Sequence, residues 1–156
     1  MSPVRGFRIA IVGAALAAPF PVLEMQAGER RMSVPLAGAG FAYTYRQSIY
    51  QVAVREELRL VGDTIRIDRA LSADIRALEY FRWPGEAEDA GGGVLAWQAP
   101  DNAVDHLRIL VNAEGDQAID TGTRRVTLGE AFGDDASVIV RGALRPLLLW
   151  LWGLLP

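Results

Sequence analysis

The sequence predicts an all-β domain, an antiparallel β-sandwich of immunoglobulin-like or similar kind, flanked by an apolar targeting helix and a short apolar tail. Three observations carry that prediction. Apolar and polar residues alternate with a period of two along the central chain, the mark of strands with one buried and one wet face. Turn residues punctuate the runs. Between the two ends, a single short stretch reads as helix.

Residues 1–23 read as a signal peptide or signal anchor. Arg5 and Arg8 supply a positive start, and Ile9 to Ala18 form an apolar run. Ala15-Leu16-Ala17 offers small residues at the spacing a signal peptidase needs, and Pro19 and Pro21 end any helix. A buried core helix is the competing reading. Left uncut, the run barely reaches the ~20 residues a bilayer span needs.

Residues 24–142 hold the predicted domain. Phe41, Tyr43 and Tyr45 alternate with Ala42, Thr44 and Arg46. Val52, Val54, Leu58 and Leu60 alternate with polar residues, as do Ile65 and Ile67. Further strands are expected at Leu107-Ile109-Val111, Val126-Leu128 and Val138-Val140. Gly62-Asp63, Glu114-Gly115-Asp116, Thr121-Gly122 and Gly133-Asp134-Asp135 mark turns. Strands at this spacing suit a sandwich or a barrel. Ser72 to Tyr80 is the helical stretch, with Ser72 as its cap. Glu86 to Gly93, acidic and then all glycine, reads as a mobile loop.

Residues 143–156 form the apolar tail. Trp150 and Trp152 suit a membrane interface, and Arg141 and Arg145 suit headgroups. At ~1.5 Å per residue the tail reaches only part way through a bilayer. A last core-packing segment of the domain is the alternative.

Composition narrows the chemistry. The chain has 156 residues, 51% apolar and 22% charged, enough for one folded domain. A net charge of -3 gives no basic footprint for nucleic acid. With no cysteine, disulfides, thiol nucleophiles, thiolate metal sites and a lipidated cysteine are all excluded. No cofactor is expected.

The most informative residue is Glu56. Side chains alternate along a strand, so Glu56 shares its face with Val52, Val54, Leu58 and Leu60, while Glu57 faces out with Arg55 and Arg59. The two carboxylates therefore diverge and form no catalytic pair. A carboxylate on an apolar face needs a partner or a proton, and Tyr45, Arg46, Arg66 and Arg76 are the candidates. Either Glu56 faces a ligand pocket, or it sits in an internal ion pair or is turned outward by a bulge. His106 follows Asp105, and neighbours on a strand face apart, so no acid-orienting pair is expected there. A hydrolase built from Ser48 and His106 is the weakest reading, because no nucleophile-elbow pattern surrounds Ser48.

Val34-Pro35-Leu36, Gly40 to Tyr45, Ser48-Ile49 and Val54-Arg55-Glu56 resemble the domain of unknown function 1850 family, small exported bacterial proteins often encoded beside TAXI-type TRAP transporters. That family's pattern is an aromatic strand ending in tyrosine, then histidine-serine-valine, then a strand with a fixed glutamate. Tyr45, Ser48, Ile49 and Glu56 fall in register with it, whereas Gln47 stands at the histidine position. The family's glycine-rich stretch is replaced here by Ser72 to Arg76. The resemblance implies an accessory or adaptor role beside TRAP transporter subunits, at the periplasmic face of the inner membrane or in the periplasm. It implies no reaction. A periplasmic ligand-binding domain using Glu56, Tyr45, Arg46, Gln47 and Ser48 is the alternative, and membrane contact is expected through the tail, an uncut N-terminus, or both.

Overall fold

The computed structural model describes residues 19–146, and over these the chain is an antiparallel β-sandwich. The expected targeting helix and the tail from residue 147 lie outside the described residues. One sheet has the order β2-β1-β12-β9, built from β1 (Pro19–Ala27), β2 (Arg30–Pro35), β9 (Leu107–Leu110) and β12 (Ser137–Pro146). The larger sheet has the order β11-β10-β3-β4-β5-β7-β6. It comprises β3 (Gly40–Gln47), β4 (Val52–Val61), β5 (Thr64–Ser72), β6 (Glu88–Gly91), β7 (Val94–Gln98), β10 (Ala118–Asp120) and β11 (Arg125–Thr127). A short strand, β8 (Ala103–Val104), pairs separately with β5. Among the described residues both sheets keep free edges, so the architecture is a sandwich and not a closed barrel.

The alternation read in the sequence sets the core. Leu23 and Met25 of β1, Phe41 of β3, Leu58 and Leu60 of β4, Ile65 of β5, Ile109 of β9, and Val138 and Val140 of β12 are all buried and meet between the sheets. Removing this apolar surface from water, at ~25 cal/mol per Å², is the main stabilising contribution in a chain without disulfides.

The sheet is longer at both ends than expected. Pro19 pairs with Pro146 and Leu23 with Gly142, so residues 19–23 and 143–146 belong to strands. Pro19 and Pro21 are tolerated because β2 reaches only to Val22↔Pro35, which leaves the start of β1 laddered on one side.

Three local expectations are corrected. The helix is the short α1 (Ile75–Glu79), and its cap is Asp74, whose carboxylate accepts from Arg76 N; Ser72 ends β5 instead and takes a bond from Asp74 N. The stretch from Glu86 to Gly93 is not a loop throughout. Its second half is β6, turning into β7 through Gly92 and Gly93, whose φ values of 64° and 79° suit the tightest hairpin turn. Leu128 does not continue a strand. It opens α2 (Leu128–Phe132), with Thr127 preceding it, and buries its side chain in the same core.

A candidate binding site around Tyr43, Tyr45 and Glu56

The site grows from two neighbouring strands. On β3 the odd-numbered side chains turn inward, from Phe41 through Tyr43 and Tyr45 to Gln47. On β4 the even-numbered ones do, and Glu56 stands directly opposite Tyr43 on β3 and Ala70 on β5. The small Ala70 leaves room for the carboxylate. A bulge does occur nearby, between Glu57 and Leu58 in the pairing with β5, but the extra residue is Asp68. Glu56 therefore keeps the inward orientation that its place in β4 dictates.

Its partner is Tyr45, whose hydroxyl donates to the carboxylate. None of the candidate arginines serves. Arg46 lies on the outer face of β3 and binds Asp116 at 2.7 and 3.1 Å. Arg66 pairs with Asp101. Arg76 binds Asp74 at 2.6 Å and stacks over Tyr50, 4.9 Å from the ring centre. Burial raises the pKa of Glu56 above the ordinary carboxylate value, and the bond from Tyr45 opposes this only in part. Burial and the neighbouring Glu56 likewise push the Tyr45 phenol upward. Tyr43 is pushed up to about 12, mainly by burial.

The two tyrosine rings stack with centres 5.0 Å apart. Gln117, buried at the entry to β10, fixes Tyr43. Its Nε2 donates to Tyr43 Oη at 3.1 Å and to the Leu110 carbonyl at 2.9 Å, while its Oε1 accepts from Asn112 N at 2.9 Å. Gly115 makes this possible, since a Cβ there would lie 2.8 Å from the Asn112 side chain and 3.0 Å from that of Gln117. Gln47 is also buried, and its Oε1 accepts from Ile49 N at 3.1 Å and Tyr50 N at 2.9 Å, closing the β3–β4 turn. Gln47 is thus a turn-former, and Ser48 is exposed at the rim.

Tyr43, Tyr45, Gln47, Ile49, Tyr80 and Gln117 contribute to the wall of an open cleft of about 250 Å³. Ile49 and Tyr80 are 60% and 64% exposed, which leaves its mouth partly apolar. Glu56 is not part of the wall and reaches it through the Tyr45 hydroxyl. Because Tyr45 spends its proton on Glu56, its oxygen is left to accept. Because Tyr43 Oη accepts from Gln117, its own proton is left to donate. The cleft therefore presents one donor and one acceptor side by side, and its one arginine, Arg46, is already paired. Gln117 was not legible as a site residue, because nothing in sequence marks a glutamine after a turn as buried.

Asp105 and His106 do meet, contrary to the strand-based expectation. They lie in the bend between β8 and β9, where side chains need not alternate, and Nδ1 stands 3.1 Å from Asp105 Oδ1. That contact holds the Asp105 carboxyl below its usual range. No hydrogen bond joins His106 to Ser48 among the described residues.

Comparison with protein-family models, with curated proteins and with solved structures finds no match to this chain.

Proposed function

We propose that the chain is a non-catalytic binding module of the periplasmic side of a membrane, and that it takes a small, uncharged polar solute in the cleft that Tyr43 and Tyr45 line. The observation that carries this reading is the Tyr45–Glu56 bond. A carboxyl group held inward without a cation is costly, and such perturbed groups cluster at functional sites. Here the carboxyl fixes which way the Tyr45 proton points and so sets the polarity of the cleft. An amide or a protonated acid has the matching donor–acceptor pair, while a free anion finds no unpaired cation there.

A solute panel read by melting temperature tests this. An amide-bearing solute should raise the melting temperature of the wild type, and Tyr45→Phe should abolish the shift while remaining folded. If no solute in the panel moves the wild type, the ligand reading fails.

A second reading, an adaptor beside a TAXI-type transporter, is supported by a specific coincidence. The block from Tyr45 to Glu56, which carries the resemblance to transporter-linked proteins, supplies Tyr45, Arg46, Gln47, Ser48 and Ile49 to the cleft wall. Crosslinking in membranes should then recover a transporter subunit. Recovery of the free chain alone counts against it.

A further inference from the structure

The outer faces of the two sheets treat arginine differently. On the larger sheet each outward arginine of β3, β4 and β5 has an acid: Arg46 with Asp116, Arg55 and Arg69 with Glu57, Arg59 with Asp68, and Arg66 with Asp101. Such a face is neutralised in place. On the smaller sheet, alternation turns Arg31 of β2, Arg108 of β9, and Arg141 and Arg145 of β12 outward, against one acid within its strands, Glu24 of β1, and Asp105 beside β9, which acts on Arg141. Glu24 is taken by Arg145, at 2.6 and 2.9 Å. Among the described residues, Arg31 and Arg108 have no ion pair.

Arg31 and Arg145 line a groove of about 580 Å³ together with Glu24, Gln26, Ser33 and a third arginine, Arg124, and Glu24 neutralises only Arg145. Arg124 comes from the β10–β11 turn and is also without an acid among the described residues. The turn is pinned beside β2: Thr123 Oγ1 donates to the Pro35 carbonyl at 2.8 Å, and Ala37 N donates to the Thr121 carbonyl at 3.1 Å. Three elements distant in sequence thus hold guanidinium groups around one cavity. Guanidinium forks match phosphate oxygens in geometry as well as charge.

The same sheet carries both joins to the apolar ends of the chain. The apolar sequences before residue 19 and after residue 146 connect at Pro19 and Pro146, which face each other across one strand pair, next to Arg145. We infer that the outer face of the β2-β1-β12-β9 sheet is a docking surface for an anionic phospholipid bilayer, with a lipid phosphate seated in the groove between Arg31 and Arg124, beside the Arg145–Glu24 pair. The inference rests on the reading of the chain as membrane-associated but is independent of the tyrosine cleft. Juxtamembrane arginines next to apolar segments draw a domain onto anionic lipid in this way.

The test uses the full chain with vesicles of phosphatidylcholine, alone or with about a third phosphatidylglycerol, read by flotation. The anionic vesicles should bind tighter, and Arg31→Ala and Arg124→Ala should each weaken that binding about fivefold. Arg55→Ala and Arg59→Ala, on the opposite face, should leave it unchanged. The apolar ends can hold the protein on both kinds of vesicle, so a second readout is needed. The chain has no cysteine, so Ser33→Cys gives a unique site for an environment-sensitive dye. Its emission should shift on anionic vesicles only. Equal binding to both vesicles with a silent dye overturns the proposal while leaving the cleft intact. Displacement by inorganic phosphate at matched ionic strength would instead assign the groove to free phosphate and overturn the lipid reading.

Discussion

Leu60 of β4 packs directly against the bare Cα of Gly142 in β12, so closely that a Cβ at Gly142 would lie 1.8 Å from Leu60 Cδ1. This close approach between the two sheets explains a buried glycine in mid-strand, where glycine otherwise weakens a sheet.

Gly142→Ala should therefore destabilise the fold by about 1–3 kcal/mol through overpacking. Combining it with Leu60→Ala should cost less than the sum of the two single changes, because the second makes room for the first. Urea unfolding of the four proteins checks this. Additive costs would mean that the two side chains do not compete for one space.

Glu56 makes stability depend on pH in a stated direction. Its folded pKa is raised above the unfolded value of about 4.5. The neutral form is then favoured in the fold, so this contribution is fully present below pH 4.5 and is lost as pH rises through the folded pKa. Glu56→Gln keeps the shape and an acceptor for Tyr45 but cannot ionise. It should be more stable than the wild type near neutral pH, by about 1.4 kcal/mol per unit of pKa elevation, and lose that advantage in acid. A pH series of chemical denaturation reads it.

The tyrosines extend the argument to alkali. Tyr43 ionises near 12 rather than 10, and Tyr45 is raised as well. Two of the four tyrosines should therefore titrate late in ultraviolet absorbance, and stability should fall as pH climbs above 10 toward 12. All four titrating together near 10 in the folded protein would contradict this.

Gln117 satisfies three groups at once: Tyr43 Oη, the Leu110 carbonyl and Asn112 N. Gln117→Leu would leave them facing an apolar side chain and should cost roughly 1–3 kcal/mol. It should also weaken any ligand that needs Tyr43 as donor, because the ring loses its anchor. A variant as stable as the wild type would show that these bonds contribute little.

Much of the fold was legible because it rests on a local rule. Alternation at Phe41-Tyr43-Tyr45 and at Val54-Glu56-Leu58 fixed which side chains meet between the sheets, and it placed Glu56 inward without reference to any partner. What failed was decided by distant contacts. Pro19 and Pro21 read as an end to regular structure, yet β12 recruits them into a strand. The glycines after Glu88 read as slack chain, yet pairing with β7 makes them a hairpin. The partner of Glu56 was likewise open, since four candidates were compatible with the sequence. The pleat, by turning Arg46 out and Tyr45 in, excluded Arg46 and chose Tyr45.

The most direct test follows the Glu56 carboxyl by carbon-13 NMR through a pH titration. The account predicts a midpoint above 4.5 in the wild type and a higher one still in Tyr45→Phe, because the tyrosine bond favours the charged form. A midpoint at or below 4.5, unmoved by Tyr45→Phe, would contradict it.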